Sequence, residues 1–520
     1  MYSKLLLAAC LLIFASCQSG NQPEAVAAPD ISTVPLIPKP VLVTPSQGGF
    51  QFNEKTAIYI DKASSGLESV SGYLAQKLFP ATGYKLEVAP EQGNNQVSLA
   101  LTSNSADLGD EGYDLEIKPT GIKISANKPA GIFNGIQTLL QLLPNEIWKS
   151  SKQDIPWVVG AGTIHDYPSY GYRGAMLDVA RHFFSVDDVK RYIDLISSYK
   201  MNKLHLHLSD DQGWRIEIKA WPKLTTHGGS TQVGGGKGGF YTQDQYSDIV
   251  RYAMDRNVTI IPEIDMPGHT NAALASYDFL NCNNKTTELY TKTEVGFSTF
   301  CTRKDTVYKF IDDVVKELAA ITPGPYIHLG GDESHVTAKK DFIYFLNKIQ
   351  SIPKKYGKKM IGWEEVSQAS LDSNTIVQYW SNVEHAKAAV KQGAKLIMSP
   401  ASKAYLDMKY DSTTKLGLMW AGLIEVDSGY IWTLSSRAKE ISNDNILGVE
   451  APLWTETIST MNEIEYMVFP RLPGIAEIGW TPDNSRSWDE YKLRLAKHGA
   501  RMRAMDIDFY ESPKVPWGIK

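Results

Sequence analysis

The chain has 520 residues, 43% hydrophobic and 21% charged, an ordinary globular composition that can bury a large core and excludes a disordered or collagen-like chain. Fifty-three Lys and Arg stand against 58 Asp and Glu, a net charge of −5, so the electrostatic footprint of a nucleic-acid binder is absent. The length allows two or more domains, since a single α/β barrel can occupy roughly 250 residues.

In chain order, residues 1–17 carry one cation, Lys4, then an apolar run ending in Ala15-Ser16-Cys17. This reads as a signal peptide, too short to span a membrane, closing on a bacterial lipoprotein cleavage box with Cys17 as the lipidated residue. The expected location is the cell envelope, on the periplasmic or surface face of an outer membrane, with the lipid as the only membrane attachment; simple secretion with an unmodified Cys17 is the alternative. Residues 18–37, rich in Pro, Ala, Ser, Asn and Gln, read as a flexible tether.

Residues 38–165 predict a small α+β domain. Strands are expected at 56–60, 97–101, 113–118 and 121–126, with a helix over 66–79. A second helix follows from Ile132, Ile136, Leu139, Leu140 and Leu143, which recur at the spacing of one buried stripe. No polar cluster suited to chemistry stands there, so the domain is assigned a structural role.

From 166 to 520 the rhythm becomes apolar strand, polar strand end, helix. Strands are predicted at 174–179, 203–208, 258–264, 326–329, 359–362, 375–379, 395–398 and 446–449. Ser185 with Asp188, Thr242 with Gln245, and Asp305 ahead of the stripe from Val307 to Leu318 read as helix starts. Gly393 reads as the stop of a helix over 385–392. Eight such repeats predict a closed parallel (β/α)8 barrel, whose chemistry lies at the C-terminal ends of the strands. Cys282 and Cys301 are the only cysteines beyond the signal region; an exported pair can form a disulfide, but their separation is not legible.

The strand ends carry a biased set: Asp178 and Arg181; Asp210 and Asp211; Glu263, Asp265 and His269; Asp332 and Glu333; Trp363 with Glu364 and Glu365; Trp380; Tyr405 and Asp407; Trp454 and Glu456. One Asp at a strand end often only caps the next helix. So many together point to a sugar site, because carboxylates move protons and accept from hydroxyls while indole faces stack on the C–H faces of a sugar ring. In His328-Leu329-Gly330-Gly331-Asp332-Glu333, two glycines allow close approach of backbone and ligand. The adjacent carboxyls point in different directions and need different jobs, and their like charges push one pKa upward, which suits an acid near neutral pH.

Two rivals are weighed. His205-Leu206-His207 puts two imidazoles on one strand face, as metal-dependent barrel hydrolases do, but no His stands at the ends of strands five, six or eight to complete a site. A non-catalytic carbohydrate-binding surface lipoprotein would also use an aromatic mouth, but the intact Asp332 and Glu333 favour an enzyme. The glycine-rich stretch 228–239 lacks the Lys-Ser or Lys-Thr of a phosphate loop and reads as a mobile loop near the mouth.

The His-x-Gly-Gly-Asp-Glu segment resembles the hallmark of family 20 glycoside hydrolases, the β-N-acetylhexosaminidases. Similar to that family are also Arg173-Gly174-Ala175-Met176-Leu177-Asp178-Val179-Ala180-Arg181, His205-Leu206-His207-Leu208-Ser209-Asp210-Asp211, and Pro262-Glu263-Ile264-Asp265-Met266-Pro267-Gly268-His269. The resemblance covers the whole mature chain. It implies an exo-acting enzyme that removes terminal β-linked GlcNAc or GalNAc from N-acetylhexosamine-containing oligosaccharides or glycoconjugates, with retention, through an oxazolinium formed by the substrate's own acetamide. By motif, it implies Glu333 as general acid and base, supported by Asp210 and His269. Asp332 would orient the acetamide and Tyr405 would bond its carbonyl oxygen, with Trp363, Trp380 and Trp454 as walls. Arg181 would hold the 3- and 4-hydroxyls, and Asp407, Trp420 and Glu456 would complete recognition. No metal or organic cofactor is implied.

Overall fold

The computed structural model describes residues 28–102, 105–437 and 439–518. The Cys17 box and residues 18–27 of the expected tether lie outside them. Residues 28–37 are not a tether: Ile31, Leu36 and Ile37 are buried, and Gln141 brackets Ile37 through its backbone N–H (3.0 Å) and carbonyl (2.7 Å). The segment is more apolar than its Pro and Ser content advertises, and burial of those side chains outweighs the entropy of a free chain.

The N-terminal domain is a seven-stranded sheet of β1 (Leu42–Gln51), β2 (Ala57–Ile60), β3 (Val88–Ala89), β4 (Gln96–Leu101), β5 (Tyr113–Lys118), β6 (Gly121–Ala126) and β7 (Val158–Asp166), in the order β1-β7-β5-β6-β4-β2-β3. Helices Glu68–Thr82 and Pro129–Leu142 share one apolar cluster with it. The four predicted strands and both helices are present. Strands β1 and β7 escape the sequence reading because Pro and Gly interrupt their alternation, and their pairing shifts register between Pro45 and Gly49. Gly160 in β7 has a reason: a Cβ there would lie 1.8 Å from the Pro29 carbonyl oxygen of the segment that packs across it.

The remaining eight strands are β8 (Tyr172–Asp178), β9 (Lys203–His207), β10 (Thr259–Glu263), β11 (Tyr326–His328), β12 (Lys359–Trp363), β13 (Ile376–Tyr379), β14 (Lys395–Met398) and β15 (Ile446–Leu453). All pair parallel and close into a barrel in the order β10-β11-β12-β13-β14-β15-β8-β9. Every predicted strand is found. The last runs beyond the predicted 449, carrying Glu450 into the barrel interior. Ser185 and Thr242 both close full capping boxes. Asp305 does not cap: it is the first helical residue of Asp305–Ala320, after an uncapped Lys304.

Buried ions join the two domains. Lys200 lies 2.9 Å from Asp166 and 4.4 Å from the centre of the Trp480 ring, and Trp480 donates to the same Asp166. Arg173 donates twice to Glu111, at 2.8 and 3.0 Å. Cys282 and Cys301 are bonded, resolving what the sequence left open.

Candidate active site

At the C-terminal mouth of the barrel a cavity of about 210 Å³ is lined by ten of the twelve expected residues: Arg181, His269, Asp332, Glu333, Trp380, Tyr405, Asp407, Trp420, Trp454 and Glu456. They come from loops after six different strands, β8, β10, β11, β13, β14 and β15. Asp210 and Trp363 lie behind the lining. Asp210 reaches the site through His269, and Trp363 sits one layer lower, its ring 5.9 Å from Trp454 and its indole N–H donating to Glu263 at 2.9 Å. Trp363 packs in one cluster with Trp380, Tyr405 and Trp454, its side chain carried there by the end of β12.

The segment after β11 bends hard. Gly330 adopts φ +62°, and a Cβ there would fall 1.6 Å from an Asp265 carboxyl oxygen. The same oxygen accepts the Gly331 N–H at 3.1 Å. Glu333 and His269 themselves hold positive φ, 43° and 55°, a cost that non-glycine residues bear mainly at functional sites.

The acid centre is a chain. Asp210 lies 3.2 Å from His269 Nδ1, and His269 Nε2 lies 3.5 Å from Glu333 and 3.7 Å from Asp332. Burial pushes the His269 imidazole down, but Asp210 and Asp332 more than offset it, so the ring is held charged. Burial pushes Glu333 up, and charged His269 pulls it back below the usual carboxylate range. The carboxyl of the adjacent pair that rises is therefore Asp332, through burial and the charges of Glu263 and Glu333 around it. Asp265 beside it rises well above the usual range through burial and the Asp332 charge. Asp265 keeps the proton, which leaves Asp332 to accept.

Among the described residues, buried polar atoms without a hydrogen-bond partner face this space: Asp332 Oδ1, both oxygens of Asp407, Glu456 Oε2, His269 Nε2 and Arg181 Nε. Burial and the neighbouring Glu456 drive Asp407 well above the usual carboxylate range. Arg181 is fixed by Asp210 at 2.8 Å and by Asp178 at 3.4 Å, and its guanidinium packs 4.8 Å from the Trp454 ring centre. Tyr405 stacks on Trp380 at 6.5 Å and meets Trp420 edge-on at 5.9 Å. Trp420 is 56% exposed and forms the outer lip.

Thr293, Val295 and Leu418 also line the cavity and were not foreseen. The first two sit inside the Cys282–Cys301 loop, so the cysteine pair was the one available signal. The glycine-rich stretch 228–239 is pinned where mobility was expected: buried Arg215 donates to the carbonyls of Gly229 and Gly239, and Val233 N–H bonds the Arg181 carbonyl at 2.9 Å.

The paired histidines sit among carboxylates. His205 places its ring nitrogens 2.9 Å from Glu450 and 3.0 Å from Glu263, and is pushed up to about 9: burial lowers it, and these two carboxylates more than offset that.

Residues 170–483 match the glycosyl hydrolase family 20 catalytic domain, and residues 33–167 match domain 2 of the same family. The chain is 40% identical to the β-N-acetylhexosaminidase of Cellulomonas fimi over 495 residues, covering 94% of this chain and 98% of that protein. It is 34% identical to a β-hexosaminidase of Porphyromonas gingivalis, covering 98% of this chain and 68% of that one. The solved GH20 β-N-acetylhexosaminidase from Streptomyces coelicolor superposes with a TM-score of 0.90 at 50% identity, over 93% of this chain and 99% of the other. A mutant Streptomyces plicatus β-hexosaminidase in complex with its product GlcNAc is equally similar, with a TM-score of 0.90 at 50% identity over 95% and 99% of the two chains. The chain belongs to glycosyl hydrolase family 20.

Proposed function

We propose that this enzyme is an exo-acting, retaining β-N-acetylhexosaminidase that uses the substrate's acetamide as nucleophile. One observation carries the reading: orphaned Asp332, Asp407 and Arg181 atoms face an aromatic-walled cavity of about 210 Å³ beside a charged His269–Glu333 pair. Unpaired buried acceptors and donors are a standing cost, which a sugar's hydroxyls and amide N–H remove on binding.

Glu333 gives its proton to the leaving oxygen as the acetamide oxygen bonds to the anomeric carbon and the glycosidic bond breaks. Asp332 accepts the acetamide N–H and stabilises the oxazolinium charge; Tyr405 donates to the attacking carbonyl oxygen. Water then bonds to the same carbon as the acetamide oxygen leaves it, restoring the acetamide, and gives a proton to Glu333. Between the two steps Glu333 is a carboxylate opposite charged His269, the state that its lowered proton affinity favours. A bound sugar deepens the burial that already pushes Glu333 up, and so favours the acid form at the start.

A panel of aryl β-GlcNAc, β-GalNAc, 6-sulfo-β-GlcNAc and β-glucose tests this. Cleavage of the N-acetyl sugars with β-glucose inert is expected; comparable turnover of β-glucose, or a trapped glycosyl ester on the protein, overturns it. The Ala15-Ser16-Cys17 box supports export and lipid anchoring at Cys17 in the cell envelope. Labelled palmitate should enter the wild-type protein and not Cys17→Ser; equal labelling, or none, sinks the anchor.

A further inference from the structure

The interior of a (β/α)8 barrel is ordinarily filled by branched apolar side chains. Below this cavity it holds ions. Starting low on β15, Glu450 lies 2.9 Å from His205 Nδ1, and His205 Nε2 lies 3.0 Å from Glu263. Glu263 contacts His207 Nδ1, and His207 Nε2 lies 2.8 Å from Asp210. Asp210 continues to His269 and Glu333, as described above. Acids and imidazoles alternate without a break from the barrel interior to the acid centre.

His205 and His207 each meet a carboxylate at both ring nitrogens; His269 meets Asp210 at Nδ1, while its Nε2 stands 3.5 Å from Glu333 without a hydrogen bond among the described residues. A neutral ring has one N–H, so one of its two contacts would set lone pair against lone pair; an imidazolium satisfies both. The surroundings agree. His205 stacks on His328 at 4.6 Å, and His328 Nδ1 lies 2.9 Å from Glu263 and accepts the Gly330 N–H; burial outweighs the pull of Glu263 and drives His328 below the usual imidazole range. His207 also faces Arg181 at 3.5 Å, with Asp178 nearby, and rises well above the usual range because its carboxylates outweigh burial. His269 is faced by Asp210, Asp332 and Glu333, with Asp211 and Asp265 close by. A buried ion chain usually stabilises a fold less than apolar packing of the same volume, so stability alone does not account for it.

We propose that Glu450, His205, Glu263 and His207 are positioning residues for the acid–base step: as an alternating ion chain along the barrel interior they hold Asp210 ionised and His269 charged, and through His269 they tune Glu333. The chain gains and loses no proton over the reaction; its contribution is a fixed field and a fixed ring orientation. The inference rests on the glycosidase reading of the cavity. Wild-type hydrolysis of aryl β-GlcNAc is therefore the control. Without it the glycosidase reading falls; with it, only the present inference is at stake.

The test uses His205→Gln and Glu450→Gln, neither of which lines the cavity. Two β-GlcNAc substrates are compared: 2,4-dinitrophenyl, whose departure needs no proton, and chitobiose, whose departure does. For both variants kcat on chitobiose should fall about 100-fold, the scale of lost acid assistance, with KM unchanged and the dinitrophenyl rate reduced by less than about threefold. The alkaline limb of kcat/KM should move up in His205→Gln, which removes a positive charge, and down in Glu450→Gln, which removes a negative one. Equal losses on both substrates with the limbs unmoved would assign these residues to packing and overturn the inference. If the variants fail to fold, the wild-type protein labelled with ¹⁵N-histidine answers: of its ten histidines, three should be doubly protonated at pH 8, where an ordinary imidazole is neutral. Fewer than three would overturn it.

Discussion

At the junction of the two domains and at the mouth of the barrel the same kinds of side chain are buried, and they are settled in opposite ways. At the junction, Asp166 accepts from Lys200, Tyr113, Trp480 and the Val41 N–H. Nearby, Glu477 accepts two bonds from Arg494, one from Tyr430 and one from the Lys39 N–H. At the mouth, among the described residues, Asp407 has no partner at either oxygen, and Asp332, Glu456 and Arg181 each keep an orphaned atom. A buried unsatisfied group costs roughly 1–3 kcal/mol. The difference teaches where this chain places stability and where it stores binding energy.

Substitutions that separate the two regions sharpen that contrast. The largest effect is expected from Glu333→Gln: kcat on a poor leaving group should fall about 10²- to 10⁴-fold, while the thermal midpoint stays level, since no partner of the carboxyl is left buried and charged except His269, which Asp210 still holds. A midpoint collapse would show that the mouth stabilises the fold after all. Lys200→Met should do the reverse, leaving Asp166 buried without its cation. A loss of about 3–5 kcal/mol in urea unfolding is expected, with kcat per folded molecule unchanged; altered kcat would tie the junction to the chemistry. The pair Cys282→Ser and Cys301→Ser lies between the regions. Opening a loop of 19 residues' separation should lower stability by about 3 kcal/mol and also raise KM, because Thr293 and Val295 line the cavity from that loop. An unchanged KM would confine the bridge to stability.

The barrel was legible because its strands are apolar runs with their polar residues concentrated at one end, a pattern that follows from one buried and one functional face. The acid centre was legible from motifs for the same reason. Glu450 was not, because β15 was expected to stop at 449 and instead runs to Leu453. His205 and His207 were visible as a pair, yet their chemistry was not: two imidazoles on a strand face a metal or carboxylates with equal ease until Glu263 and Glu450 are seen around them. The depth of Trp363 and the pinning of 228–239 by Arg215 depend on long-range packing that leaves no local pattern. The same holds for the lowered proton affinity of Glu333, which His269 decides from another strand.

The smallest expected effect, and the finest test of the contrast, is in the pH dependence of stability. At the mouth Glu364 accepts from the backbone N–H groups of Trp380, Ser381 and Asn382, yet burial outweighs those bonds and pushes it up to about 7. A carboxyl raised on folding binds its proton more tightly in the native state, so its contribution is complete below its unfolded value near 4.5 and is lost as the pH rises through about 7. At the junction burial raises Glu111, but Arg173 more than offsets it and holds the carboxyl low, so its contribution is present above about 4.5 and lost on acidification. The two regions thus lean in opposite directions. Between pH 4.5 and 8 the thermal midpoint should fall by roughly 2 °C or more on the account of Glu364. Glu364→Gln, which keeps an acceptor for the three N–H groups, should reduce that slope, to which the raised Asp265, Asp332 and Asp407 also contribute, while Glu111→Gln should alter only the acid side. Identical slopes in wild type and Glu364→Gln would mean that the mouth carboxyl ionises freely and that the contrast between the regions does not extend to their protons.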